Sequence, residues 1–328
     1  MMIASLLILT ALSSIDDIQW KLGPNVPEFR KGGCLEVIDD NIVSAFGMRY
    51  PWGEMATTYI FHPDSETWAQ GPDAPVGECY VEGTSCNSAL CAIGGRIGKV
   101  HARCFSLNQK DNALTWNEIA SLREARGWAP SATLGDQIFV FGGASDAHGP
   151  TLSSVEMLDT GSEHPQWETV GNIPGLSRGW VTACALRGNI YLIGGAHLEQ
   201  PSGKGQESAQ QLTDVLAFDP KSGEWTPKAP LPYRVSGLDC CVYKDRYIIV
   251  IGGSAVTDDF TDDMKKAYES VDRRECYYCP FILAYDIEKN EWKRMPSLLP
   301  MPTNDIRVAI SGQTIYALGG ENKEQATS

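Results

Sequence analysis

The chain has 328 residues, with 41 acidic against 27 basic side chains and a net charge of −14, a balance that argues against a nucleic-acid backbone as partner. After the first 14 residues no apolar run is long enough to span a bilayer as a helix. The glycines follow strand-like runs with no helix pattern behind them, so a phosphate-cradling loop is excluded as well.

Residues 1–14, MMIASLLILTALSS, hold an apolar core of secretory length followed by small residues, with no Lys or Arg before it. This predicts a signal peptide over 1–14, a periplasmic or secreted protein, and one domain over 15–328 with no membrane span once the signal is removed. The alternative is that residues 4–12 form a β-strand. Trp20 follows, and from there a repeat begins. Apolar stretches run into Gly-Gly pairs at 94, 142, 194, 252 and 319, with Phe46-Gly47 in the sixth place. A tryptophan follows each of the first five marks, at 68, 116, 167, 225 and 292.

Within each period two short apolar runs joined by a turn precede the glycines, as in 181–186 and 190–193 around Arg187-Gly188-Asn189. A variable loop, a third strand, a turn and a tryptophan-bearing strand complete the unit. Four antiparallel strands per unit, repeated at this period, predict the blades of a propeller. The hairpin at 306–320 has no tryptophan after it, and Trp20 has no hairpin before it, so the N-terminal strand is expected to close the last blade and remove the open edges. The third strand of that blade is left without an obvious source other than the segment read as a signal.

Topology also predicts a rim. The loops after the glycine marks and the segments leading into each first strand emerge on the same face. The first set holds Met48, Arg49, Tyr50, Pro51, Trp52, Arg96, His148, His197 and Glu321. The second holds Arg30, Glu78, Tyr80, Arg126, Trp128, Arg178, Trp180, Arg234 and Arg307. Glu78, Arg126 and Arg178 stand at equal distance before the marks at 94, 142 and 194. Such arginines either clamp a carboxylate through bidentate hydrogen bonds or bond backbone carbonyls between blades. Long insertions at 196–213 and 254–280 fall on this rim as candidate lids, the second with an acidic run that lacks the glycine and glutamate of a calcium loop and reads as solvated charge.

The ten cysteines suit an oxidising compartment and disulfides, with Cys86 and Cys91 placed to bridge a hairpin, although their pairing cannot be read from spacing. The lone Cys276-x-x-Cys279 lacks a second ligand pair, and the five histidines are scattered over separate blades, so no metal or cofactor is expected.

The Gly-Gly and tryptophan marks resemble those of kelch repeats from about residue 18 to 321, which implies an all-β, six-bladed kelch β-propeller. Trp20 with Pro24 and Pro27, Pro51-Trp52, residues 281–286 after a long insertion, and Gly319-Gly320-Glu321 are similar to the sialic-acid mutarotases of the cyclically permuted type. That resemblance implies a proton-accepting role for Glu321 in opening and reclosing a carboxylated sugar such as N-acetylneuraminate; the rim then offers His197, Arg178 or a water as the proton donor, and Arg126, Arg178, Arg307, Trp52 and Arg96 as candidates to hold the substrate. The family's arginine-bearing segment after the glutamate is replaced here by residues 322–328, NKEQATS. The other reading is a non-catalytic propeller that binds an acidic glycan or peptide at the channel mouth. Oligomeric state is not written in the sequence.

Overall fold

A computed structural model of the chain describes residues 5–11, 15, 18–49, 51, 53–110, 113–201, 208–271 and 278–321. The described residues form six four-stranded antiparallel sheets arranged as the blades of a propeller. Blade one comprises Cys34–Ile38, Asn41–Ala45, Thr58–His62 and Thr67–Gln70, here called strands a to d. Strand a of the later blades is Glu82–Cys86, Ser131–Leu134, Thr182–Leu186, Asp239–Tyr243 and Arg307–Ser311. Each strand a lies beside strand a of the next blade, and the last beside the first, so these six line the central channel.

Strand b explains the apolar runs. In every blade its last four residues are buried, as in Gln137–Phe141 and Asn189–Ile193, because neighbouring sheets cover both faces. Alternation is therefore lost and a continuous hydrophobic run remains. The glycine pair that follows is a steric requirement: at Gly142, with φ of +53°, a Cβ would meet the Arg178 carbonyl oxygen of the next blade at 2.4 Å. The tryptophans of strand d wedge against the preceding blade. Trp116 packs on Phe46 with ring centroids 4.9 Å apart and donates from Nε1 to Pro72 O at 3.1 Å, and Trp167 Nε1 donates to Ala120 O at 2.9 Å.

Blade six is assembled from both ends of the chain. Arg307–Ser311 and Thr314–Leu318 supply strands a and b, Ser5–Ala11 supplies strand c, and Ile18–Asn25 supplies strand d. Leu7 pairs with Ala317 on one side, and Leu9 pairs with Trp20 on the other. Two N-terminal strands therefore close the ring, one more than the repeat count predicts. Ser5–Ala11, inside the segment read as an export signal, is a strand, as the alternative expects, with Leu6, Leu7 and Leu9 buried between blades. Removal of residues 1–14 would take this strand out of the sheet.

The acidic insertion of blade five keeps Asp258, Asp262 and Asp263 exposed to solvent, as expected, and adds a helix, Asp262–Ser270, whose N-cap, Thr261, accepts a hydrogen bond from Met264 N at 3.3 Å, with Asp262 and Asp263 in its first turn. Negative side chains there meet the positive end of the helix dipole. The described cysteines, including Cys86 and Cys91, all carry free thiols, and Cys276 lies outside the described residues. No helix among the described residues is long and apolar enough to cross a membrane.

Candidate functional site at the channel mouth

The rim is built on a six-fold backbone rule. The residue after each glycine mark bridges the segment that leads into strand a of its own blade: Lys31 with Met48, Cys79 with Arg96, Gly127 with Ala144, Gly179 with Ala196, Ser236 with Ser254, and Asn304 with Glu321. The next residue in each blade turns left-handed. These are Gly32 (φ 64°), Tyr80 (53°), Trp128 (53°), Trp180 (51°), Gly237 (69°) and Asp305 (56°).

They are tied to one another around the mouth. Tyr80 N donates to Gly32 O at 2.6 Å, Trp128 N to Tyr80 O at 3.4 Å, Trp180 N to Trp128 O at 3.1 Å, Gly237 N to Trp180 O at 2.8 Å, and Asp305 N to Gly237 O at 2.9 Å. A left-handed conformation costs a residue with a side chain about 1–2 kcal/mol. Tyr80, Trp128, Trp180 and Asp305 bear that strain, held by this run of hydrogen bonds from blade one to blade six, and strain held in place at one opening marks a candidate site.

Two halves of the mouth differ in chemistry. Across blades two to four the rings of Tyr80 and Trp128 lie 4.4 Å apart and those of Trp128 and Trp180 5.7 Å apart, packed over Ala144 and Ala196. Across blades six and one, Lys31 Nζ stands 2.6 Å from Glu321 Oε1 and 3.4 Å from Asp305 Oδ2. Tyr278 donates its hydroxyl to Glu321 Oε1 at 3.4 Å, and Lys31 Nζ sits 5.7 Å from the centre of the Tyr80 ring. Burial, opposed by the Lys31 charge, raises the Asp305 carboxyl above its usual range.

Below the mouth, strand a encloses a polar cavity of about 240 Å³ that includes Glu36, Glu82, Asp239 and Arg307. Arg307 donates from Nε to Gly33 O at 2.7 Å and lies 3.4 Å from Glu82 Oε2. Asp239 accepts from Val308 N and Cys240 N, both at 2.8 Å, and Glu36 accepts from Ser85 Oγ at 2.7 Å. Burial pushes Glu36 up to about 7 and Glu82 up to about 8.

The structure separates the residues that the sequence grouped. Arg126 is buried and turns into its own blade, donating from Nη1 to Gly142 O at 2.8 Å and Ser154 O at 3.1 Å, and pairing with buried Glu156. Arg30 does the same with Thr57 O at 2.8 Å and Phe46 O at 3.1 Å. Arg178 is fully buried against Asp214 Oδ2 at 3.1 Å. Arg126 and Arg30 bond inside the blades because strand ends leave carbonyls that need donors, whereas Arg178 meets the Asp214 carboxylate and leaves its Nε and Nη1 without a partner. In blade two, Glu78 takes the arginine position and stands 2.7 Å from His101 Nε2.

Arg307 is not at that position at all. Thr303 occupies it in blade six, and Arg307 begins strand a inside the channel. His197 Nδ1 is tied to Ser177 O at 2.9 Å and Ser177 Oγ at 3.0 Å in the seam between blades three and four, across the ring from Glu321. Arg96 is half-buried on blade two, its backbone paired with Cys79 and its Nε without a partner. Trp52 lies outside the described residues.

Lys31, Asn304, Asp305 and Tyr278 are the residues sequence reasoning missed. Asp305 could have been found by counting two residues past the arginine position in each blade, which also gives Tyr80, Trp128 and Trp180. Among the described residues no group of His, Cys, Asp or Glu is arranged to hold a metal ion.

This closed ring of four-stranded blades, with glycine pairs after strand b and tryptophan wedges on strand d, defines a kelch-type β-propeller. Residues 81–320 match the KLHDC2/KLHL20/DRC7 Kelch-repeats domain family, and the chain belongs to that family. It is 28% identical over 267 residues to kelch-like protein 35 of Mus musculus, a match spanning 80% of this chain and 38% of the relative. Alpha-scruin of Limulus polyphemus is 24% identical over 255 residues, spanning 76% of this chain and 26% of the relative. The chain thus covers well under half the length of these curated relatives. Among solved structures, that of YjhT superposes with a TM-score of 0.70 at 12% identity, covering 89% of this chain and 91% of the other, a likeness of fold.

Proposed function

We propose that this chain is a non-catalytic kelch propeller that captures a polypeptide segment at the mouth of its channel. The observation that carries this reading is the dispersal of the acid, base and clamp expected for sugar ring opening. Glu321 is bonded to Lys31 and Tyr278, His197 is bonded across the ring, and Arg126 and Arg178 are turned into their blades. General acid–base work needs its groups within reach of one substrate.

The mutarotase reading keeps one supporting observation, the carboxylate of Glu321 held at the mouth directly after the sixth glycine mark. Nuclear magnetic resonance exchange spectroscopy on N-acetylneuraminate separates the two. The binding reading expects the anomer exchange rate to be the same with and without protein; acceleration that vanishes in Glu321→Gln would overturn it in favour of the enzyme.

A further inference from the structure

Resting on the binding reading above, we propose that the blade-six side of the mouth recognises a basic side chain, lysine or arginine, of the captured polypeptide. The sequence reading expected an acidic ligand, held by rim arginines. Arg30, Arg126 and Arg178 are turned into the blades and Arg96, with its unpartnered Nε, stands on blade two, while the described side chains on the blade-six side of the mouth are rich in acceptors.

Asp305 and Glu321 bring two carboxylates to one place, and among the described residues Lys31 is the ammonium bonded to both. Their side chains keep 9%, 18% and 11% of their surface exposed, so solvent, and hence a ligand, reaches them. A second observation is independent of the charges. Asn304 is 97% buried, being 3% exposed, and its Oδ1 lies against Gly237 on the mouth ring with no hydrogen-bond donor. A buried acceptor left unpaired costs about 1–3 kcal/mol, so a donor reaching it, from a water or from a ligand, is favoured there.

The Tyr278 hydroxyl directs its proton to Glu321, leaving further acceptor capacity. Lys31 shows what such a pocket holds: an ammonium between carboxylates and near the face of Tyr80. The channel beneath adds Glu36, Glu82 and Asp239 against Arg307, so its charge does not reverse the sign. An acidic side chain would bring a third carboxylate into the cluster and be repelled, whereas lysine and arginine carry only donors.

The test uses fluorescence anisotropy on the full chain with three labelled, end-capped hexapeptides, alternating glycine with lysine, glutamate or serine. The lysine peptide is expected to bind, and Glu321→Gln to weaken it about tenfold or more, as loss of a charge-assisted hydrogen bond does. Glu224→Gln, an exposed charge on the outer strand of blade four, controls for general attraction to an acidic protein and is expected to change affinity less than about twofold. Asp305→Asn reads the same cluster should Glu321→Gln fail to fold. Equal losses in the control and cluster variants, or preference for the glutamate or serine peptide, would overturn the basic-ligand assignment and leave the binding reading standing. No binding by any of the three peptides would count against both.

Discussion

Blades three and six face each other across the channel and obey one backbone rule with opposite chemistry. In blade three the inward arginine is Arg126, the bridging pair is Gly127 and Ala144, and the left-handed residue is Trp128. In blade six the same positions hold Thr303, then Asn304 with Glu321, then Asp305. Blade three is also one continuous stretch of chain, while blade six joins residues 5–25 to residues 307–318. The contrast teaches that a repeat preserves positions, not contents: the backbone pairing recurs wherever the chain can turn left-handed, and side chains are free to differ where they meet the opening.

The largest expected effect is on the joined blade. A chain lacking residues 1–14 loses strand c and the buried Leu6, Leu7 and Leu9, and is expected to lose cooperative unfolding in a circular dichroism melt. N-terminal sequencing of the protein from its native source tests the same point: a mature terminus beyond residue 11 would mean that the sixth blade closes differently.

Next comes the arginine of blade three. Arg126→Met leaves Glu156 buried without its partner and is expected to destabilise the fold by about 3–5 kcal/mol in denaturant unfolding. Thr303→Val, at the matching position of blade six, removes a hydroxyl that has no partner and is expected to change stability by less than about 0.5 kcal/mol. Similar losses in the two variants would break the contrast between the blades.

A smaller effect is expected from pH. Glu36 and Glu82 titrate near 7 and 8 in the folded protein, against an ordinary value of 4.5. Between about pH 4.5 and 8 the folded state therefore holds more protons than the unfolded one, and stability falls as pH rises through that window. The melting temperature should be higher at the acidic end of this range than at the alkaline end, and Glu82→Gln should flatten the slope. Glu321→Gln keeps the shape of the group and its backbone bridge to Asn304, and Asp305 still pairs with Lys31, so it should move stability by about 1 kcal/mol while changing ligand affinity.

Sequence alone determined the architecture, because local sterics write it into the chain. A glycine is required where strand b ends against the next blade, within a pair in the later blades and after Phe46 in the first, a tryptophan is required where two sheets splay apart, and both recur at readable intervals. The closing of blade six by the N-terminus followed from a count of these marks, but the role of residues 5–11 did not. An apolar strand buried on both faces and an export signal have the same composition.

The site was legible only as a rim. The spacing that aligned Arg126, Arg178 and Glu78 was real, yet it located side chains along the chain without saying which way they point. That choice belongs to tertiary structure, where unpaired carbonyls at strand ends draw the arginines inward and leave Lys31, Asp305 and Glu321, from opposite ends of the chain, to meet at the mouth.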